Sequence, residues 1–386
     1  MSAPRVFVYA QHLLGIGHLK RAATLARALA AEGLAVTLAS GGLPVPGLAL
    51  GGARLVQLPP ASAADMSFKR LLDERGRDVD EDWRRRRREA LLSAWHSAEA
   101  QVLVIELFPF GRRQMGFELL PLLEAAAAAP RRPAILCSVR DILGGQKTVE
   151  RQQETLQILQ RYFDGVLVHG DPSVVGFERS FAPAAGIADK LHYTGYVVDE
   201  PAPAGDSGGR DEVLVSAGGG AVGAALLEAA IQAKPLTALK DRLWRVLAGN
   251  NLPEPAFRKL AGLAAQADGV LLERSRPDFT TLLANCTLSI SQAGYNTLLE
   301  TVQAGVRAVV VPFAGGAEIE QSLRARCFAE RGLLELLEES ALAPPTLAAA
   351  VGRAMARPAP ARGRIDLDGA RRSAALIARW AGQRAA

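Results

Sequence analysis

The 386-residue chain is poor in cysteine, lysine, histidine and aromatic side chains. Its three cysteines, Cys137, Cys286 and Cys327, lie far apart and form no C-x-x-C pair. This argues against a disulfide framework and a structural zinc site, and it fits a reducing compartment. Arginine, not lysine, carries most of the positive charge, and the net charge is only +5. So mild an excess does not imply nucleic-acid binding, but it suits an anionic small ligand. No stretch reaches the roughly 18–20 uncharged apolar residues that span a bilayer. The first residues run straight into Val6–Tyr9 without the charged and apolar regions of a secretory signal. The expectation is a cytoplasmic protein, with peripheral contact at the inner face of the membrane left open. No Asp-x-Asp stands near a strand end, so no metal-diphosphate site and no resident cofactor are expected.

Short apolar runs alternate with helix-length amphipathic segments: Val6–Tyr9, Ala35–Ala39, Val102–Ile105, Ala134–Ser138 and Gly165–His169. Polar, Pro- and Gly-rich residues 199–212 interrupt the pattern and read as a linker. It resumes with Glu212–Ser216, Leu243–Ala248, Val270–Leu272, Leu288–Ser291 and Ala308–Val311. Such alternation predicts α/β architecture with parallel sheets. The boundaries are 1–198 for a first domain and 213–360 for a second. Residues 361–386 hold a terminal helix that is free to return to the first domain. Ligands of such sheets sit at the carboxyl ends of the strands, so the loops there carry the functional signal.

Four of those loops stand out. Gln11–His18 contains Gly15-Ile16-Gly17-His18 between a strand and a helix. Gly15 and Gly17 permit close approach by a ligand, and the helix start favours anions. It is neither a dinucleotide fingerprint nor a P-loop, because Lys20 stands where a third glycine would be and no Gly-Lys-Ser/Thr occurs. A histidine at a helix start is kept neutral by the dipole, as a general base requires, though a capping role fits too. His12 is a rival base on the same loop. Ser216-Ala217-Gly218-Gly219-Gly220 offers backbone N–H groups for a diphosphate, or simply a tight turn. Ser291-Gln292-Ala293-Gly294-Tyr295-Asn296-Thr297-Leu298-Leu299-Glu300 places an acid near the first turn of a helix, where a carboxylate can accept ribose hydroxyls. Val309–Gln321 ends in Glu320 and Gln321, both able to hydrogen-bond sugar hydroxyls.

Taken in order, these motifs resemble the GT-B glycosyltransferases of the family that includes the lipid-II-forming N-acetylglucosaminyltransferase, with a family 28 type C-terminal domain. The resemblance covers most of Val213–Gly332 and about the first 40 residues. It implies two Rossmann-like domains facing across a cleft, with a nucleotide-sugar donor, UDP-sugar favoured, on the second domain. By that likeness Gly218, Gly219 and Gly220 approach the diphosphate, with Gly294, Asn296 and Thr297 nearby. Glu300 holds the ribose, the backbone at Arg274 and Ser275 the base, and Glu320 and Gln321 the donor sugar. Arg324 either neutralises phosphate, binds an acidic sugar or is an exposed helix arginine. The acceptor falls to the first domain, near His12, Gly15, Gly17, Arg140 and Asp141. His18 is the candidate base and Glu106 its partner. His169 reads as structural or acceptor-facing.

The resemblance implies an inverting, metal-independent glycosyltransferase that acts on an acceptor hydroxyl, since the paired-glutamate element of retaining relatives is not recognisable. A nucleotide-sugar 2-epimerase and a non-catalytic nucleotide-sugar-binding subunit are the alternatives. The acceptor is open among a polysaccharide, a lipid-linked intermediate and a small natural product, and the charge balance hints at an anionic one. Residues 1–198 carry 24 basic and 20 acidic side chains, against 21 and 20 in the remainder. The run Arg84–Arg88 reads as a solvated helix face or as a basic face toward an anionic partner.

Overall fold

A computed structural model describes residues 3–65, 68, 70–144, 148–201, 205–218, 223–313 and 319–385. The chain divides into two units. One holds the residues up to Leu143, the stretch ending at Val198 and a return segment from Asp368; the other holds Asp199–Leu367.

The first unit is built on seven strands: β1 (Arg5–Ala10), β2 (Ala35–Ser40), β3 (Arg54–Gln57), β6 (Val102–Glu106), β7 (Ala134–Arg140), β8 (Gly165–His169) and β9 (Leu191–Tyr193). A small antiparallel pair, β4 (Ser62–Ala63) and β5 (Leu71–Leu72), lies between β3 and β6 in sequence. The order is β3-β2-β1-β6-β7-β8-β9, and each pairing is parallel. Strand order reverses between β1 and β6, so the loops after these two strands diverge and leave a crevice at their carboxyl ends.

Helix α1 (Gly17–Ala31) buries Leu19, Ala22, Ala23, Leu25, Ala26 and Leu29, the recurrence of a helix with one apolar face. It ends at Gly33, whose φ of +81° suits glycine, and Leu34 N–H bonds back to Leu29 O at 3.2 Å. Helices α2 (Glu81–Ala98), α3 (Gly116–Ala127) and α4 (Val149–Tyr162) complete the covering layers.

The second unit repeats the plan with β10 (Val213–Ser216), β11 (Trp244–Ala248), β12 (Val270–Arg274), β13 (Leu288–Gln292), β14 (Ala308–Val311) and β15 (Glu335–Leu336). Their order is β12-β11-β10-β13-β14-β15, again all parallel, with the reversal between β10 and β13. Its helices are α5 (Ala224–Ala233), α6 (Glu254–Ala264), α7 (Phe279–Asn285), α8 (Tyr295–Ala304), α9 (Glu320–Glu330) and α10 (Pro344–Ala356). The described part of the linker is held to this unit. Asn285 Nδ2 donates to Asp206 O and Gly208 O at 2.8 and 2.9 Å, and Gln303 Nε2 donates to Asp199 O at 2.9 Å.

The chain then returns. Helix α11 (Gly369–Ala385) packs on α1, β6 and β7, burying Ala374, Ile377 and Ala381 in the core of the first unit. Among the described residues no helix is long and apolar enough to cross a membrane.

The arginine run on α2 is not a uniform solvated face. Asp80 caps the helix by accepting from Trp83 N–H at 2.7 Å, and Glu81 and Asp82 occupy its positive end. Arg85 and Arg86 are exposed, but Arg87 is fully buried. Its guanidinium meets Glu118 at 2.8 Å and donates to Gln11 Oε1 at 2.7 Å and to the carbonyls of Gly41 and Pro59 at 2.8 and 2.5 Å. Glu118 also accepts from the Tyr9 hydroxyl at 2.5 Å. Trp83, Arg87, Leu91 and Trp95 form one buried stripe, so helix period, not local composition, selects the arginine that goes inside. Removing one partner of a buried pair costs about 3–5 kcal/mol. Arg87→Ala should therefore sharply lower the denaturant midpoint of unfolding, whereas Arg85→Ala should leave it within about 0.5 kcal/mol of the parent.

Candidate active site

The crevice between β1 and β6 gathers the titratable groups. The loop after β1 leads into α1 with Ile16 at the cap position, no side-chain cap and no acid in the first turn. His18 is the second residue of α1, and Glu106 is the last residue of β6. Their side chains meet, His18 Nδ1 lying 2.9 Å from Glu106 Oε1. Arg21, one helical turn after His18, forms an ion pair with the same carboxylate oxygen. Glu106 pairs with Ser138 across β6 and β7, and the Ser138 hydroxyl donates to Glu106 Oε2 at 2.5 Å. Ser138 Oγ also lies 2.9 Å from His169 Nε2, and His169 Nδ1 lies 2.9 Å from Thr194 Oγ1.

Electrostatics fix the protonation states. Burial alone would raise the Glu106 pKa. The Arg21 charge and the His18 bond overcome that, with Ser138 assisting, and hold the carboxyl well below the usual range. Burial lowers His18 to about 3, with the charges of Arg112 and Arg140 acting the same way against the pull of Glu106. Burial likewise lowers His169 to about 3. A neutral His18 donates from Nδ1 to the ionised Glu106, which leaves the Nε2 lone pair as its basic atom. Arg112 donates from Nε to Gln11 O at 2.9 Å, and burial together with Arg140 lowers its pKa to about 10.

The remaining expected acceptor residues are placed differently. His12 is buried, with Nε2 against Leu43 O at 3.0 Å and Nδ1 without a hydrogen bond among the described residues. A Cβ on Gly42 would meet the His12 ring within 2.5 Å, so this glycine makes room for it. Its locked donor makes it a poor rival to His18. Gly15 is exposed with open space where a Cβ would be, and Gly17 begins α1. Arg140 is half-buried at the end of β7. Asp141 is fully buried, against a Gly170 whose Cβ would lie 2.5 Å from it. It is therefore not surface-presented to an acceptor. His169 is buried too, at the end of β8.

In the second unit the loops after β10 and β13 lie together. Gly218 N–H donates to Ser216 Oγ at 3.2 Å, and both Gly218 and Gly223 have positive φ. A Cβ on Gly223 would lie 3.2 Å from Gln292 Oε1. Gly219 and Gly220 lie outside the described residues. Gly294 caps α8, and Asn296 and Thr297 are half-buried in its first turn. Glu300 is the sixth residue of α8, in its second turn and not its first, because the helix begins at Tyr295. It lines a cavity of about 300 Å³ with Thr280, Thr281, Asn285, Gln303 and Arg362.

Four other expected donor residues use their side chains internally. Arg274 donates from Nη1 to Gly249 O and Leu252 O at 3.2 and 3.0 Å, pairs with Glu254 at 2.8 Å and stacks over Phe257. Ser275 Oγ donates to Ala248 O at 3.4 Å. Gln321 Oε1 accepts from Phe313 N–H at 3.1 Å. Glu320 is buried and pairs with Arg324 at 3.0 Å, so its carboxylate faces an internal cation and not a sugar. Arg324 is fully buried over the Tyr295 ring, neither exposed nor a surface phosphate ligand, because its position four residues after Glu320 turns both inward.

The sequence reading missed Arg21 and Arg112, and it did not join Ser138 and Thr194 to His169. Arg21 was findable as the i+3 neighbour of His18. The others meet only through strand register.

Two histidines held near 3 instead of the ordinary 6.5 bind fewer protons than they do in the unfolded chain. The stability they contribute is present above about pH 6.5 and is lost as pH falls toward 3. Depressed Glu106 acts with the same sign at lower pH. The melting temperature should fall steadily from pH 7 to pH 4, and His169→Gln should flatten the slope between pH 5 and 6.5. An unchanged slope would contradict the neutral buried imidazole.

Residues 214–365 match the family described as Glycosyltransferase family 28 C-terminal domain. A comparison with curated proteins finds no sequence match. Among solved structures, MurG of Acinetobacter baumannii is similar at a TM-score of 0.62 and 16% identity, covering 97% of this chain and 100% of that one. The calicheamicin glycosyltransferase CalG4 gives 0.58 and 18%, covering 99% and 95%. A UDP-glucosyltransferase from Polygonum tinctorium, capable of glucosylating indoxyl, gives 0.57 and 16%, covering 100% and 94%. At these identities the likeness is one of fold, and that fold is GT-B.

Proposed function

From a family 28 glycosyltransferase domain over residues 214–365 on a chain of GT-B fold, we propose an inverting transferase that moves a sugar from a nucleotide diphosphate sugar to an acceptor hydroxyl. The observation that carries the mechanism is the His18–Glu106 pair at 2.9 Å, which leaves Nε2 as the basic atom. The acceptor O–H bond breaks as its proton passes to Nε2. The oxygen then bonds to the anomeric carbon while the bond from that carbon to the diphosphate oxygen breaks, and the nucleoside diphosphate leaves. Glu106 stabilises the imidazolium so formed, and Arg21 keeps that carboxylate ionised before the proton arrives. One displacement inverts the anomeric centre.

The donor is assigned to the second unit. Gly218 at the start of the glycine loop and Gly294 at the start of α8 flank the strand-order reversal, where backbone N–H groups suit a diphosphate. Such donors take the place of a metal ion, and the nucleotide sugar is a co-substrate, so no resident cofactor is needed. UDP is the favoured nucleotide, in keeping with the Polygonum tinctorium neighbour. Glu300, beside Thr280 and Thr281 in its cavity, is assigned to the ribose. The chain works in the cytoplasm, and its acceptor is an anionic or lipid-linked molecule.

His18→Ala should lower kcat by about 10²–10⁴ with donor affinity retained, the range expected for a positioned base. Glu300→Ala should weaken donor binding about tenfold, read by calorimetry or thermal shift against UDP-, dTDP- and GDP-sugars. Wild-type turnover in His18→Ala would remove the base assignment. A β-linked product from an α-linked donor, read by NMR, is the expected stereochemistry, and an α-linked product would end the claim of inversion. Epimerisation of UDP-GlcNAc without an acceptor would replace transfer by isomerisation.

A further inference from the structure

His169 has no role in the chemistry above, yet it is fully buried at the end of β8 with both ring nitrogens engaged. Proton counting fixes the direction of its bonds. Glu106 is ionised, so it only accepts. Its 2.5 Å contact with Ser138 therefore takes the serine's single hydroxyl proton. Ser138 Oγ must then accept at its 2.9 Å contact with His169, which places the ring proton on Nε2. The ring is neutral, so Nδ1 is bare and accepts the Thr194 hydroxyl proton across 2.9 Å. The alternative acceptors of that hydroxyl, Gly195 O and Val168 O, lie at 3.3 and 3.5 Å. Every proton points one way, from Thr194 through His169 and Ser138 to Glu106.

We propose that Thr194, His169 and Ser138 form a one-way hydrogen-bond relay that sets how much negative charge Glu106 presents to His18, making them positioning residues for the base. The inference rests on His18 being that base. With a proton donated to Oε2, carboxylate charge is drawn away from the oxygen that faces His18 Nδ1. The imidazole then stays neutral, and Nε2 is available. Without that proton the charge on Oε1 deepens and favours the imidazolium, which cannot accept a proton. The other groups acting on His18 are cations: Arg21 on the same helix, Arg112 after β6 and Arg140 on β7. They oppose its protonation in parent and variant alike.

The chain has five histidines, few enough for ring-nitrogen NMR on the intact labelled protein to resolve each. The parent should show His18 with its proton on Nδ1 and His169 with its proton on Nε2, both neutral from pH 8 to pH 5. Ser138→Ala and His169→Leu should raise the midpoint of His18 protonation by one pH unit or more. Ser138→Thr and His169→Gln, which keep a donor toward Glu106, should not. The acid limb of the pH–rate profile should move with the titration, whereas lost packing alone would lower the rate equally at every pH. An Nδ1–H or doubly protonated His169 in the parent overturns the relay. So does an unmoved His18 titration in a Ser138→Ala protein whose amide spectrum is native. Wild-type turnover in His18→Ala removes base and relay together, while an unmoved titration removes the relay alone.

Discussion

The first unit depends on one buried carboxylate. Glu106 sits buried at the end of a strand, a position that an isolated charge does not hold. It is held by three neighbours from two other elements: Arg21 and His18 on α1 and Ser138 on β7. Each also gains from the arrangement, since Arg21 is itself buried and needs an anion. The seating of α1 on the sheet, the pairing of β6 with β7 and the state of the base are thereby coupled through one side chain.

A second buried charge, Arg87, does for the loops what Glu106 does for the base. It reaches from α2 to Gln11, and Gln11 in turn accepts from Arg112 through its backbone carbonyl. Gln11 also donates to His12 O and Ala61 O at 2.7 and 3.2 Å. The loop that leads to His18 is thus tied at its first residue to the β6 loop and to the segment after β3. A general base must be held within a fraction of an ångström of its partner, and rigid loop anchors are the physical means.

Much of this was legible before the structure. Strand positions followed from apolar runs, and the switch-point rule singled out the loops containing His18, Gly218 and Gly294. His18 and Glu106 were paired because one opens a helix and the other closes a strand in adjacent loops. What stayed hidden was partnership across distance. Nothing near Ser138 announces His169 or Thr194, since register brings them together. Glu320 and Arg324 were placed near the donor by the family resemblance; their i,i+4 spacing was the clue that they pair with one another. Arg87 was concealed within five identical letters, although its spacing from Trp83, Leu91 and Trp95 marked the inward face. The short edge strands β3, β9 and β15 carry too few residues for a periodic signal.

The return of α11 has a consequence for how the molecule is made. This helix covers α1 and the β6–β7 face with Ala374, Ile377 and Ala381, and Trp380 lies where a side chain at Gly165 would collide with it. During synthesis the first unit emerges with that apolar flank bare, and the whole of the second unit is translated before its cover arrives. The halves therefore do not mature in the order in which they leave the ribosome. The unit translated first is the last to be sealed, and its exposed side stays bare until translation has passed Ala381.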